Sequence, residues 1–334
     1  MKYSEDFKKF PQELSDSYDA VQSIASRVLT EEEFLAWEES GLNIANRGSR
    51  AWESAVEYFR ATPDILNKLP FVHLKQWAYW GSIIAEESHF ASISYFKASR
   101  HVSDQIKPWD VADWAQLGKK LLGKESRSGK LSISYFENSA EILKILTFSE
   151  FKQIILLVET ISEQNTDEAA KFIECASEVL PVLKEDTRPC LSLISNLVRN
   201  HWQQSTKCLS MMSNVLARID TVERSRYLSL SARISEEQNT DVVSFLHESS
   251  LALGSVDNYV HVNILNMADR LSRTNPNIVL NYFKGVPKAL RRISINQLEL
   301  WYDLGMSILK DNETAGIAFF SGESSRSEDM LEKL

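Results

Sequence analysis

Apolar residues return along this chain three and four positions apart, as in Leu14, Tyr18, Val21, Ile24 and Val28 or Ile142, Leu143 and Leu146. That is the 3.6-residue period of helices with one buried face. A longer period lies over it. One position recurs about every 37 residues as Phe59, Phe96, Phe136, Ile173, Leu209, Leu246, Phe283 and Phe320. Ahead of it, by 19 residues in most copies, stand Trp37, Trp77, Trp114, Ile154, Cys190, Tyr227, Ile264 and Trp301. Self-similarity at this length predicts helical hairpins, each too small to bury its own apolar face and therefore stacked on its neighbours. The predicted fold is all-α: a right-handed α-solenoid of about eight hairpin repeats over residues 31–320, with a helical cap over 1–30 and a tail over 321–334.

Four residues after the first landmark come Gly41, Gly81, Gly118, Val158, Ile194, Ser231, Ala268 and Gly305. Positions i and i+4 share a helix face, and the sizes trade off: Trp with Gly, Tyr with Ser, Ile with Ala or Val, Cys with Ile. Close packing demands such compensation, so the two are expected to meet the same neighbour and form a packing joint. A glycine inside a helix costs about 1 kcal/mol against alanine and needs such a reason. Four residues before the phenylalanine position the chain is small in five copies, at Ala55, Ser92, Ser132, Ala169 and Ser205, which lets helix axes approach. Three residues after it stand Thr62, Ser99, Ser139 and Ser249, the first followed by Pro63-Asp64. A hydroxyl before Pro and an acid predicts a helix N-cap, hence a break and a short third helix. Repeat boundaries are expected near Pro70, Pro108, Glu185, Asp220, Asp257 and Ser294. Three extra residues in two copies fall in the polar turns 46–50 and 123–129, where insertions cost little.

Composition narrows the function. With 46 acidic against 37 basic residues the 334-residue chain carries a net charge of -9, which disfavours nucleic acid as a partner. Cys175, Cys190 and Cys208 form neither a metal knuckle nor a disulfide framework, and a reducing cytoplasm is expected. No apolar run approaches the ~20 residues that span a bilayer, and the first residues lack the apolar core of a leader. After Phe320 no further copy follows, so the apolar end of the array is expected to be covered by the tail or by further chain.

Candidate chemistry is sparse. His247-Glu248 opens like a zinc-protease helix, but Leu251 stands where the second histidine belongs. His261 reads as a core histidine, and Cys190 and Cys208 as inert buried thiols. Gly123-Lys124 lacks the first glycine of a phosphate loop. Glu31-Glu32-Glu33 after Thr30 reads as a capped first helical turn. No catalytic residue, metal or cofactor is expected. If the first helices line the concave face, Lys119, Lys152, Glu159, Arg188, Arg199, Asp269 and Arg273 are exposed there, and together they predict a mixed-charge groove for a peptide or protein.

The segments Trp114-Ala115-Gln116-Leu117-Gly118 and Trp301-Tyr302-Asp303-Leu304-Gly305 resemble the opening of the tetratricopeptide pattern, although the period exceeds that family's 34. The lines Trp37-x-x-x-Gly41 with 55–63, and Trp77-x-x-x-Gly81 with 94–99, resemble the helical-repeat region that precedes the von Willebrand factor A domain in NorD-like and CoxE-like proteins. The resemblance covers residues 32–320, and the metal-binding Asp-x-Ser-x-Ser signature of that domain is absent from this sequence. It implies an adaptor that works with a MoxR-type AAA+ ATPase in metalloenzyme maturation. The function expected is thus a non-enzymatic interaction scaffold; the alternative is a helical-repeat enzyme or ligand-binding protein with its site on the concave face.

Overall fold

The computed structural model describes residues 4–124, 129–183, 187–236 and 241–323. Among them the regular structure is helical, without strands. The chain forms two compact units, Met1–Ser177 and Glu178–Leu334.

In the N-terminal unit a single-turn helix α1 (Ser4–Phe7) precedes α2 (Gln12–Val28), and then hairpin follows hairpin. These are α3 (Glu31–Ala45) with α4 (Ala51–Leu66), α5 (Phe71–Glu87) with α6 (His89–Val102), α7 (Asp110–Leu122) with α8 (Lys130–Leu143), and α9 (Phe148–Ser162) with α10 (Thr166–Val179). The hairpins stack in two layers. First helices pack in the order α3, α5, α7, α9 and second helices in the order α2, α4, α6, α8. Helices start where the chain can satisfy their free N–H groups: Thr30 with Glu33 and Thr147 with Glu150 form reciprocal capping boxes, and Pro70 precedes α5.

The C-terminal unit holds a short 3-10 turn (Leu180–Leu183), α11 (Thr187–Leu216), α12 (Thr221–Glu236), α13 (Val242–Gly254), α14 (Asn258–Thr274), α15 (Pro276–Ala289), a 3-10 turn (Ile295–Gln297), α16 (Leu298–Asp311) and α17 (Glu313–Ser321). α11 is a hairpin whose two arms meet at a single non-helical residue, His201 (φ -141°, ψ 38°). The predicted boundaries at Asp220, Asp257 and Ser294 fall directly before α12, α14 and the second 3-10 turn. Glu185 lies outside the described residues.

The recurring landmarks form the core, and the tryptophan and glycine of a first helix meet one neighbour, as their shared face predicts. A side chain on Gly41, Gly81, Gly118 or Gly305 would lie 2.3, 2.0, 2.2 or 2.5 Å from the ring tip of Phe59, Phe96, Phe136 or Phe320. The glycine therefore makes room for the phenylalanine of the facing helix, not for the tryptophan one turn away. The tryptophan packs edge-to-face on that same ring, with centroids 5.1 to 5.5 Å apart in Trp37–Phe59, Trp77–Phe96, Trp114–Phe136 and Trp301–Phe320. The sequence agrees in three copies, where Val158, Ile194 or Ser231 replaces the glycine and Ile173, Leu209 or Leu246 the phenylalanine; Ala268 with Phe283 is the exception.

A tyrosine fastens each joint to the next. Tyr58, Tyr95 and Tyr135 donate to the carbonyls of Trp37, Trp77 and Trp114 at 3.2, 3.0 and 2.9 Å. Tyr58 and Tyr95 then stack on Trp77 and Trp114, in the next hairpin, at 5.0 and 5.2 Å. Burial drives the phenols of Tyr58, Tyr95 and Tyr135 well above their ordinary range, so they act as neutral donors. Tyr282 plays the same part in the other unit, bonding Ile264 O at 3.2 Å and lying 5.8 Å from Trp301. Ser92 and Ser132 donate to the carbonyls of Gly81 and Gly118, which fixes the close approach at the small-residue positions.

One expectation needs correction. α4 runs without a break through Pro63, and Ser99, Ser139 and Ser249 lie inside α6, α8 and α13. The hydroxyls turn inward instead of capping: Thr62 donates to Tyr58 O and accepts from Trp37 Nε1 at 3.1 Å, and Ser249 meets the Tyr227 hydroxyl at 2.8 Å. There is no short third helix at these positions. Residues 4–30 pack on the first hairpin through a tyrosine of the same kind. Tyr18 stacks on Trp37, Phe7 lies edge-on to Phe59, and the Tyr18 hydroxyl donates to the buried carboxylate of Glu38, so α2 packs as a second helix would.

Candidate functional site

The first helices of the N-terminal unit carry a cleft of about 670 Å³ between α5, α7 and α9, lined by Trp80, Ile83, Asp113, Gln116, Leu117, Lys119, Lys120 and Lys152. Helix periodicity explains its composition. Trp80 and Leu117 each stand three residues past a core tryptophan, and Ile83 and Lys120 six past it, so they flank the buried stripe and face outward between neighbouring first helices. The floor is apolar: Trp80, Ile83 and Leu117 are all partly exposed. Tyr79 is 58% exposed and meets Trp80 edge-on at 5.7 Å, and Leu156 on α9 is 59% exposed.

Three of the candidate charges belong to this region. Lys119 lies 3.0 Å from Glu87 and Lys152 2.7 Å from Asp113, each on the preceding first helix in the layer. Lys152 also sits 4.6 Å above the Phe148 ring. Glu159 is buried, with the Lys120 ammonium 2.7 Å from both of its carboxylate oxygens. Residues read as a free docking surface are therefore rungs between adjacent helices, and Arg47 to Glu86 at 3.1 Å and Lys124 to Glu163 at 3.4 Å extend the series. Exposed pairs of this kind contribute about 0 to 1 kcal/mol each, so they set register more than stability. Lys152→Ala should change unfolding free energy by less than about 0.5 kcal/mol. Lys120→Ala, which strands the buried Glu159 carboxylate, should cost more, about 1 to 2 kcal/mol; urea unfolding of the two variants checks the order.

The other candidates lie in the C-terminal unit. Asp269 accepts from Arg233 at 2.8 Å and Arg273 at 2.9 Å. Burial alone would raise its carboxyl, but these two guanidinium groups outweigh burial and hold it below the usual range. Arg199 is exposed on α11 with no ion pair among the described residues. Arg188 falls in the first turn of α11, and its side chain lies outside the described residues. The structure thus brings Lys119, Lys152 and Glu159 together in the N-terminal unit, and Asp269 with Arg273 in the C-terminal unit.

The sequence analysis missed the apolar floor. Only Ile83 carried a signal, a large apolar residue where Asn43, Lys120 and Thr160 stand in neighbouring copies; Trp80 and Leu117 occupy a position that is apolar in most copies, as at Leu157, Leu193 and Leu230. Among the described residues no group of three His, Cys, Asp or Glu could hold a metal ion. The Cys208 thiol is pushed up to about 12, first by burial and then by Asp241. His261 is buried with Nε2 2.8 Å from Leu253 O, and His247 is exposed. No described helix is long and apolar enough to cross a membrane.

Comparison with protein-family models, curated proteins and solved structures finds no match to this chain.

Proposed function

We propose that this protein is a non-enzymatic interaction scaffold, a right-handed α-solenoid of about eight tetratricopeptide-like hairpins that docks a protein partner on its first-helix face. One observation carries the reading. In the cleft between α5, α7 and α9 the charges are already paired helix to helix, while Trp80, Ile83 and Leu117 remain open to a partner's apolar side chains. An apolar centre with a polar rim is the anatomy of a protein interface, and a large aromatic at its centre is the usual anchor. The resemblance to the repeat region of von Willebrand-domain adaptors supports a MoxR-type AAA+ ATPase as that partner, with the chain serving as the adaptor's N-terminal module.

The test is direct binding to the purified MoxR-type ATPase of the source genome. Leu117→Glu and Trp80→Ala should each weaken it at least tenfold, and Leu300→Glu, an exposed change in the other unit, should leave it unchanged. Absence of binding by the unaltered protein at high micromolar concentration contradicts the choice of partner. Equal binding by all variants contradicts the choice of face.

A further inference from the structure

In the C-terminal unit α12 packs closely on α14, whereas α16 stands farther from α14. The gap is a cleft of about 250 Å³ lined by Asn263, Asn266, Met267 and Arg270 of α14, Ile295 and Asn296 of the 3-10 turn, and Glu299 of α16. We infer that this cleft holds an extended peptide segment by its main chain, with one acidic side chain of that segment on Arg270.

Three asparagine amides converge here without a hydrogen-bond partner among the described residues. Most described asparagines elsewhere are engaged, Asn43 and Asn281 excepted. Asn46, Asn67, Asn138 and Asn214 bond the carbonyl four residues back, and Asn196 and Asn200 reach across to carbonyls of Ala232 and Ser235 on α12. Asn263 and Asn266 do neither, although asparagine is a poor choice for a helix interior. They lie one turn apart on α14, on the same face, and Asn296 stands on the opposite wall.

A side-chain amide offers one acceptor oxygen beside an N–H donor group, the complement of a peptide N–H and C=O. A row of amides on two walls therefore suits a chain in extended form, whose groups point alternately to either side. The volume falls below the range of enclosed small-molecule pockets, which fits a short stretch of chain passing through. Met267, buried on α14, also lines the cleft. Arg270 is 58% exposed, its nearest carboxylate, Glu299, is 3.9 Å away, beyond hydrogen-bond range, and it lies 5.9 Å from the Tyr302 ring. Its fork is open to a bidentate carboxylate, while Glu299 opposes a second acid.

The full chain, fluorescently labelled, is screened against a bead-bound library of degenerate decapeptides, and the enriched peptide is titrated by anisotropy. The expected result is enrichment of Asp or Glu at one fixed position with little preference at its neighbours. Affinity should fall at least tenfold in Asn266→Ala combined with Asn296→Ala, and Arg270→Glu should shift the fixed position to Lys or Arg. N-methylation of alternate peptide amides should abolish binding to the unaltered protein, an arm that requires no variant to fold. Leu117→Glu should bind as the unaltered chain does, which separates this site from the groove between α5, α7 and α9. No enrichment, N-methylated peptides that bind equally, or selection unchanged by Arg270→Glu would each overturn the inference.

Discussion

Gly285→Ala should destabilise the C-terminal unit by about 4 kcal/mol, the largest single-methyl effect expected in the protein. The added Cβ would lie 1.6 Å from the carbonyl oxygen of Phe320 and 2.8 Å from its carbonyl carbon. Backbone cannot rotate aside as a side-chain tip can. Relief requires α15 and α17 to move apart, and that withdraws Phe320 from Trp301 at 5.5 Å and Tyr282 at 6.0 Å. The gain in helix propensity from Gly to Ala, about 1 kcal/mol, recovers only part of the loss. Urea unfolding followed by far-ultraviolet circular dichroism gives the number, and a change below 1 kcal/mol would contradict the packing described.

Gly81→Ala should cost about 2 kcal/mol, the overpacking penalty less the propensity gain. Here the obstacle is a ring, with Phe96 Cζ, Cε1 and Cε2 at 2.0, 2.6 and 2.8 Å from the new methyl. A free ring would swing away. Phe96 is fully buried, held edge-on by Trp77 at 5.2 Å, Tyr58 at 5.6 Å and Tyr95 at 5.1 Å, so its displacement disturbs two hairpins at once. The same reasoning ranks Gly48→Ala as harmless in space, since a Cβ there meets nothing within 4 Å.

Much of the core was legible in the sequence. Trp37, Trp77, Trp114 and Trp301, with Phe59, Phe96, Phe136 and Phe320, are all buried, because a period of 37 residues repeats the same environment each time. That the tryptophan and the glycine share a neighbour was legible; that the glycine's size answers the facing ring, and not the tryptophan, was not. An i, i+4 spacing is satisfied equally by a contact along one helix and by a contact across the hairpin, and only the positions of the helix axes decide between them. A further landmark was present but unread: Tyr18, Tyr58, Tyr95 and Tyr282 each precede a landmark tryptophan by 19 residues. That constant interval, kept even where the turn within a hairpin lengthens between Trp37 and Phe59, marks the step from one hairpin to the next.

The helix break failed for a related reason. Thr62-Pro63-Asp64 has the composition of an N-cap, but proline without an N–H is accommodated in α4 while the Thr62 hydroxyl satisfies a tryptophan one helix away. Tertiary pairing overrode local preference. The charged positions misled in the same direction: periodicity placed Lys119, Lys152 and Glu159 on an outer face, but their partners, Glu87, Asp113 and Lys120, come from adjacent helices that the spacing alone does not bring together. The apolar floor between them was obscured because scattered exposed apolar residues are ordinary on protein surfaces, and only adjacency in space makes a patch of them.

Glycine on one helix admits the phenylalanine ring of the facing helix, and a double-mutant cycle on Gly81 and Phe96 measures whether the two share one space. Phe96→Leu alone should destabilise by removing ring contacts, as Gly81→Ala does by adding a methyl. Together they should cost at least 1 kcal/mol less than the sum of the two, because the smaller side chain leaves room for the Cβ, as Ser231 with Leu246 does in another hairpin. Strict additivity would mean that the two positions do not share one space, and would contradict the account.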